Sequence, residues 1–335
     1  MDHKTTAFTD KELEKGILYL ERLKEKYEGI GQDFFDYLEG LVQSNGLSYW
    51  DYIHLNSLLG LQSPRTNHPD EMIFIMYHQI TELYFKLIKH ELEQLTDPEA
   101  GEYLELEKWH LRISRATNYF KHLCNSFDIM HSGMDFHQFR QFRMALLPAS
   151  GFQSVQFRHV EIMSTNLHSL LQAPYREQTD QPLEKLYDKI YWKAGGIETE
   201  SGQKTLTLRQ FEEKYDRSLQ QFINHYRYRN LNYLYYRLPK EIKADERLRT
   251  LLRDYDVFVN NHWRLGHLAS AARYLPMEEE GTGGTNWRKY LPPKFQKIVF
   301  FESLWTSEEL DEWGKAAIVR IFREKVRDKW MEEGK

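Results

Sequence analysis

One stretch of the chain, Phe74–Glu91, constrains the fold more than any other. Its apolar residues recur at helical spacing, and His78 shares one stripe of that helix with Phe74 and Phe85. A buried imidazole is costly unless its ring nitrogens find partners. The stretch therefore predicts a buried helix. In that helix His78 is either a core histidine that is hydrogen-bonded to a neighbour or a residue that faces a ligand pocket.

The same helical periodicity dominates the rest of the chain, and strand-like alternation is almost absent. The predicted helices are Lys11–Tyr27, Asp33–Val42, Glu71–Leu95, Gly101–Phe127, Phe136–Leu146, Leu206–Tyr228, Lys240–Leu275 and Ser307–Trp330. We therefore predict a single all-α helical domain over residues 1–335. We expect the helices at Glu71–Leu95 and Lys240–Leu275 to form its centre.

Composition narrows the class of protein. Hydrophobic residues make up 41% of the chain and aromatic residues 14%, which is enough for a real core. No apolar run approaches the roughly 18 residues that a membrane span needs, and the polar N-terminus shows no secretory signal. The single cysteine, Cys124, allows neither an internal disulfide nor a thiolate metal cluster. Together these features predict a cytoplasmic protein that does not associate with membranes.

The net charge of -5 argues against a general nucleic-acid surface, so we expect no nucleic-acid partner. The basic and aromatic segment Tyr226–Arg237 is a local exception. Its arginines and tyrosines either contact an anionic partner or line a contact between helices or subunits, where these residue types are enriched.

Fourteen histidines invite a search for a metal site held by the protein itself. The chain has no HExxH motif and one ExxH, Glu107–His110, whereas a di-iron carboxylate bundle needs that motif on two helices. The glycines at Gly281–Thr285 lack the third glycine of a dinucleotide fingerprint. We therefore expect neither a protein-ligated metal centre nor a nucleotide site.

His267 is followed by a patch of small residues on a long predicted helix, namely Ala269, Ser270, Ala271 and Ala272. Small side chains let a wide planar group approach a helix closely, as a haem does when one histidine holds its iron. They equally suit tight packing between two helices, with His267 as a polar core residue. Both interpretations are open on the residues alone.

Four further residues carry polar groups that could bind a ligand. Arg143 lies in an apolar segment and needs an anionic partner, which is either an internal carboxylate or the carboxylate of a ligand. Thr282 stands among glycines that allow close backbone approach. Tyr49 and Tyr52, three residues apart, could equally be ordinary core aromatics.

Five segments together resemble the tryptophan 2,3-dioxygenase family, in the order and close to the spacing of that family. They are SYWDYIHLNSLL (Ser48–Leu59), FIMYHQITELYFKLIKHE (Phe74–Glu91), FRMALLPASGFQSVQFR (Phe142–Arg158), WRLGH (Trp263–His267) and GTGGT (Gly281–Thr285). The resemblance runs from about Tyr49 to Trp305. It implies an all-α fold built around a haem pocket.

The resemblance also implies roles for individual residues. His267 stands at the position of the proximal haem ligand, and His78 at that of the residue that accepts the indole N–H. Arg143 stands where the family binds the substrate carboxylate, and Thr282 where it contacts the substrate ammonium. Phe139 occupies a position that is Tyr or Phe in the family, so the phenol hydroxyl is absent here.

Four more residues complete the implied indole pocket. Phe74 would pack on the indole face and Leu146 would close the pocket. Tyr49 and Tyr52 would form its wall from a neighbouring subunit. The resemblance thus implies a homotetramer in which the N-terminal segment, to about residue 50, contributes to a neighbouring protomer.

The implied activity is that of a haem dioxygenase with one haem b per subunit. It would insert both atoms of O2 across the indole C2–C3 bond of L-tryptophan and release N-formyl-L-kynurenine, the entry into the kynurenine pathway. One alternative is a related haem monooxygenase that acts on a substituted indole, because it would need the same pocket. Another is a helical binding protein without turnover.

Overall fold

The computed structural model describes residues 8–44, 48–96, 105–178, 181–198, 201–275, 288, 291–292 and 297–323. These residues are helical, and their only β pairing is two isolated bridges, Leu171 with Ile190 and Ile197 with Lys204. The predicted all-α class is therefore confirmed. Among the described helices, none combines the length and apolar character that crossing a membrane would need.

Contacts between Cα atoms divide the chain into two compact units, Met1–Leu61 and Gln62–Lys335. In the first unit the helices are α1 (Asp10–Glu28), α2 (Phe34–Gln43), α3 (Tyr49–Tyr52) and α4 (Leu55–Leu59). Asp33 caps α2 by accepting hydrogen bonds from the N–H groups of Phe35 and Asp36. That residues 1–335 form one domain stays a prediction.

The first unit buries little of its own apolar surface. Among its described residues Phe34 is the one buried side chain, and α1 has none. Apolar side chains such as Leu13, Ile17 and Leu41 are exposed. Such surface is unfavourable in water, so this unit has an apolar face available for packing.

The second unit contains the remaining helices. They are α5 (Asp70–Thr96), α6 (Leu106–His131), α7 (Phe136–Phe142), α8 (Val155–Ser164), α9 (Leu183–Tyr187), α10 (Tyr191–Ala194), α11 (Leu206–Tyr226), α12 (Leu231–Arg237), α13 (Lys240–Lys243), α14 (Glu246–Val257), α15 (Trp263–Tyr274) and α16 (Ser307–Glu312). A π-helical turn, Phe258–His262, joins α14 to α15. Short 3₁₀ turns lie at Arg143–Leu146, Gly151–Gln153, Leu167–Leu170, Ala173–Tyr175 and Glu302–Leu304.

Helix α6 is the central element of this unit. It packs against α5 on one side and against α14, the π turn and α15 on the other. We expected Glu71–Leu95 and Lys240–Leu275 to form the centre. The corresponding helices α5, α14 and α15 are core elements, but α6 lies between them. Its buried positions Trp109, Ile113 and Phe120 follow the i, i+4, i+11 spacing of one helical face.

Several predicted helices differ in their bounds. The predicted helix Lys240–Leu275 is a series of shorter helices and one π turn. The predicted helix Phe136–Leu146 leaves α-helical geometry at Phe142 and continues as a 3₁₀ turn, because Pro148 soon follows and disfavours a helical residue before it. Helix α8 was not predicted, although Ser154 gives it a clear cap by accepting from the Phe157 N–H.

A buried carboxylate holds the segment that follows α15 onto the core. Asp256 is fully buried and accepts hydrogen bonds from the backbone N–H of Phe300 at 3.0 Å and of Phe301 at 3.1 Å. It also accepts from Trp305 Nε1 at 3.1 Å and from Asn260 Nδ2 at 2.8 Å. Burial raises the pKa of Asp256 to about 6 even though these four donors favour the charged form.

We expect this carboxyl to make unfolding pH-dependent. A group whose pKa is higher in the folded protein binds its proton more tightly there, so the bound proton stabilises the folded state. For Asp256 this stabilisation is fully present below about pH 4 and is lost as the pH rises through about 6. The shift corresponds to about 2–3 kcal/mol in the free energy of unfolding. Urea unfolding of the parent and of Asp256→Asn across this range measures the effect.

The exposed neighbour Asp254 provides a control, since Asp254→Asn removes a charge from the same helix without touching the buried network. The difference in unfolding free energy between the parent and Asp256→Asn should change with pH over this window. The difference for Asp254→Asn should stay nearly constant. A flat difference for Asp256→Asn would contradict the expectation.

Candidate functional site

A cavity of about 330 Å³ lies inside the second unit. Its wall is mostly aromatic and aliphatic, and Phe74, Phe85, Phe127, Phe139 and Leu146 contribute to it. A few polar side chains converge on it from α5, α8 and α15. An enclosed apolar cavity with few polar groups is the usual form of a small-molecule or cofactor site.

His78 faces this cavity from α5. Its Nδ1 lies 2.7 Å from the carbonyl oxygen of Phe74, one helical turn earlier. Burial lowers the pKa of His78, so the ring is neutral. A neutral ring that donates from Nδ1 to a carbonyl keeps an unprotonated Nε2. His78 therefore offers the cavity a hydrogen-bond acceptor.

His267 faces the same cavity from α15. Burial lowers its pKa to about 3, and the neighbouring His78, Arg158 and Arg264 lower it further in the same direction. The imidazole is therefore neutral at physiological pH, which is the state in which histidine ligates a metal. The described residues contain no group of three or more His, Cys, Asp or Glu side chains that could hold a metal ion. One axial histidine suffices for a haem.

The position of His267 depends on a close approach between α6 and α15. A Cβ atom added to Gly266 would lie 2.2 Å from Cδ2 of Phe127, so any larger residue would clash with that ring. The Phe127 ring then packs edge-on against the His267 ring, with centroids 4.9 Å apart. Trp263, one turn earlier, contacts His267 in the same way at 4.6 Å. Two aromatic rings thus fix the orientation of the imidazole.

The small-residue patch after His267 is divided between two surroundings. Ser270 and Ala271 line the cavity, one turn beyond His267. Ala269 and Ala272 instead pack into a second apolar cluster with Leu268, which Ala271 also contacts. The prediction that small residues let a planar group approach α15 therefore applies to Ser270 and Ala271. The other two serve helix packing, which was the alternative interpretation.

Two buried arginines also line the cavity and were not identified as site residues from the sequence. Arg158 of α8 pairs with Glu161 at 3.0 Å, and Glu161 accepts a further hydrogen bond from the Tyr191 hydroxyl. Arg264 lies over the Tyr191 ring, 5.2 Å from its centroid. Two guanidinium groups therefore lie on this wall of the cavity, and that of Arg158 is paired with a buried carboxylate. Both arginines lie in segments that carry the family resemblance, Phe142–Arg158 and Trp263–His267, but nothing in the sequence showed that either side chain would face the cavity.

The structure brings together five of the predicted site residues on this cavity: Phe74, His78, Phe139, Leu146 and His267. Arg143 is buried in the 3₁₀ turn between Phe139 and Leu146 but is not part of the cavity wall. Tyr49 and Tyr52 lie on α3 of the first unit and are 70% and 74% exposed. Thr282 lies outside the described residues.

The residues present fit a haem. The neutral imidazole of His267 makes no hydrogen bond with any described residue, so a ring nitrogen is available for an axial bond. Ser270 and Ala271 present little side chain one turn further along. The apolar wall suits a porphyrin face, and the guanidinium groups of Arg158 and Arg264 are N–H donors of the kind that haem carboxylates accept from.

An all-α protein in which two neutral histidines from different helices face one apolar cavity has the general form of a small-molecule or cofactor site. Comparison with known proteins is more specific. The sequence profile of the tryptophan 2,3-dioxygenase family matches residues 38–227. This match covers more than half of the chain. The chain belongs to the tryptophan 2,3-dioxygenase family, and it is therefore an enzyme.

Individual relatives support the same family over a longer stretch. A tryptophan 2,3-dioxygenase of Herpetosiphon aurantiacus is 30% identical over 78% of this chain and 97% of that protein. Those of Ruegeria sp. and Bradyrhizobium diazoefficiens are 28% and 27% identical, each over 78% of this chain and 92% of the relative. The similarity therefore spans nearly the whole length of these relatives.

We expect Gly266→Ala to disturb the site by forcing Phe127 away from α15. Overpacking of this kind costs about 1–3 kcal/mol in the free energy of unfolding. The added methyl group should also turn the His267 ring, since Phe127 is one of its two contacts. Gly16→Ala in α1 is the matched control, because nothing lies within 4 Å of the added Cβ there. Thermal unfolding of both variants measures the effect, and an unchanged Tm in Gly266→Ala would contradict the close approach.

Proposed function

We propose that this protein is a haem-dependent dioxygenase that cleaves the indole C2–C3 bond of L-tryptophan with O2 and releases N-formyl-L-kynurenine. This reaction would open tryptophan catabolism by the kynurenine pathway. The observation that carries the proposal is the pair of neutral imidazoles, His78 and His267, that face one apolar cavity in a chain of this family.

His267 would hold a haem b from the proximal side. Its ring is already neutral and oriented by Phe127 and Trp263, so binding requires no proton release from this residue. Arg158 and Arg264 would donate hydrogen bonds to the cofactor's carboxylates. When bound, the haem supplies the binding and activation of O2.

His78 would orient the substrate by accepting the indole N–H at Nε2, because its Nδ1–H is already committed to the Phe74 carbonyl. The ring of Phe74 lies against His78 with centroids 4.1 Å apart and would give the indole a flat apolar surface. Phe139 and Leu146 extend that surface. These walls would exclude water from the reacting bond and strengthen the polar contacts made inside.

The amino-acid end of the substrate would be bound by residues that are less fully described. Arg143 would pair with the carboxylate in two-pronged geometry, and Thr282 would contact the ammonium. We propose that Tyr49 and Tyr52 reach the indole pocket of a neighbouring protomer in a homotetramer. The exposed apolar side chains of the first unit support such packing. The cytoplasmic location stays a prediction.

The experiment that tests the proposal combines anaerobic reduction of the haem-loaded protein with addition of L-tryptophan and ¹⁸O₂. Mass analysis of the product then counts the incorporated atoms. Two ¹⁸O atoms in N-formylkynurenine are expected. A single ¹⁸O atom in an indole product would support the monooxygenase, and haem binding without turnover of any indole would support the non-catalytic alternative.

We expect His267→Ala to purify largely without haem while keeping its helical circular dichroism. The reason is that the cavity then lacks its axial nitrogen, although its apolar wall is intact. Soret absorbance per protein measures occupancy, and added imidazole should restore part of it by filling the vacated space. Full occupancy with unchanged axial-ligand spectra would show that His267 is not the ligand.

We expect His78→Ala to keep its haem and part of its activity. Loss of one hydrogen bond to a neutral partner costs about 0.5–1.5 kcal/mol, which is roughly a factor of ten or less in kcat/KM, plus any penalty from misorientation. The variant should also discriminate less strongly against 1-methyl-tryptophan, which lacks the N–H. Complete loss of turnover with haem and tryptophan binding intact would instead assign His78 an indispensable role in the chemistry.

A further inference from the structure

The π-helical turn Phe258–His262 lies directly before the helix that carries His267. Its defining hydrogen bond runs from the Trp263 N–H to the Phe258 carbonyl, five residues back, where a regular α-helix would use four. A turn of this kind accommodates one extra residue without adding a helical turn. Such turns are frequent at functional sites.

The extra residue changes which side chains of α15 face the core. The core-facing positions before and within the turn are Leu248, Leu252, Tyr255 and Val259, and those after it are Trp263, His267, Ser270 and Tyr274. Each set follows steps of four, three and four residues, and a further step of four joins the sets. Tyr255, Val259, Trp263 and His267 are thus separated by three consecutive steps of four residues. A regular α-helix averages 3.6 residues per turn, so this spacing is too long for one unbroken helix.

A regular helix through this region would present a different face. Each residue of an α-helix advances by about 100°, so without the turn the core-facing stripe would continue through His262, Gly266 and Arg273. His267 would then point about 100° away from the cavity. In the structure His262 and Arg273 are exposed, and His267 lines the cavity.

Contacts from two sides hold the turn in place. The Asn260 side-chain amide donates to Asp256 at 2.8 Å, and Asp256 is itself fixed by the backbone of Phe300 and Phe301. On the opposite side Cys124 of α6 approaches the Phe258 carbonyl, with Sγ 4.0 Å from the oxygen. The turn is therefore part of the packed core.

We propose that the π turn sets the helical phase of α15 and thereby aims His267 into the cavity opposite His78. The turn is thus a positioning element for the axial histidine. The assignment of His267 as a haem ligand rests on the proposed function. The effect of the π turn on the direction of the His267 side chain does not depend on a bound cofactor.

Two single-residue deletions test the proposal as a matched pair. Deletion of His262 removes an exposed residue from the π turn and should restore a regular helix with Trp263 and His267 still facing inward. Deletion of Asp254 removes an exposed residue from α14 and is made in the chain that already lacks His262, so that no extra residue remains to absorb the change. The residues after Asp254 should then lose their phase relative to the start of the helix.

The first measurement uses the apoprotein, so it does not depend on the cofactor. Diethyl pyrocarbonate acylates accessible imidazoles, and peptide mapping compares His267 with the exposed His225. His267 should stay protected in the parent and after deletion of His262, and should react nearly as fast as His225 once Asp254 is also deleted. The second measurement is haemin titration, in which the additional deletion of Asp254 should weaken binding by about tenfold or more and deletion of His262 should leave it close to the parent value.

The outcomes separate the inference from the proposed function. If deletion of His262 exposes His267 or unfolds the protein, or if both deletions leave His267 protected, the π turn does not set its aim. If the labelling pattern is as expected but the parent binds no haemin, the proposed function is wrong, and the π turn still sets the direction of His267. Protection that survives deletion of His262 but is lost when Asp254 is also deleted, in a variant that keeps its helical circular dichroism, supports the inference. If that variant unfolds, the protection of His267 and the haemin affinity after deletion of His262 decide the question.

Discussion

The contact between the Phe127 ring and Gly266 is the constraint on which the site depends. Because Gly266 has no side chain, α6 and α15 approach closely enough for Phe127 to reach past the helix backbone and touch His267. The same ring contributes to the cavity wall. The spacing of the two helices, the orientation of the imidazole and the shape of the cavity are therefore coupled through one side chain.

The charge states of the cavity residues follow from this apolar packing. A cavity with so apolar a wall disfavours charge, and both histidines respond by staying neutral. Charge is confined to the wall formed by α8 and α15, where Arg158 is neutralised by Glu161 and Arg264 lies over an aromatic ring. The cavity thus has two neutral imidazoles and one wall that carries guanidinium groups. This division suits a planar ligand that has polar groups at one edge.

The sequence predicted the all-α class correctly, because that class follows from helical periodicity. Five of the residues singled out from the motifs around His78 and His267 line one cavity, and their roles stay predictions. The sequence did not predict that Arg264 lines the cavity, since the facing of residues in α15 depends on the π turn, and one inserted residue leaves no clear signal in the spacing of apolar side chains. It also missed the break between α13 and α14, where the Asp245 side chain caps α14 by accepting from the Leu248 N–H. Arg143 was chosen for its apolar neighbours, but burial in a 3₁₀ turn does not place it on the cavity wall.

The two histidines differ in what fixes them, and this difference bears on their roles. His78 is held through its own backbone, because the carbonyl of Phe74 on the same helix takes its Nδ1 proton. The protonation state of its two ring nitrogens is therefore fixed by a contact within α5 alone. His267 makes no such bond with a described residue and is oriented by the surfaces of Trp263 and Phe127. A ring held by packing keeps a nitrogen free for an axial bond, whereas a ring held by a hydrogen bond presents a nitrogen of defined protonation to a substrate. The local structure thus suits His267 to ligation and His78 to recognition.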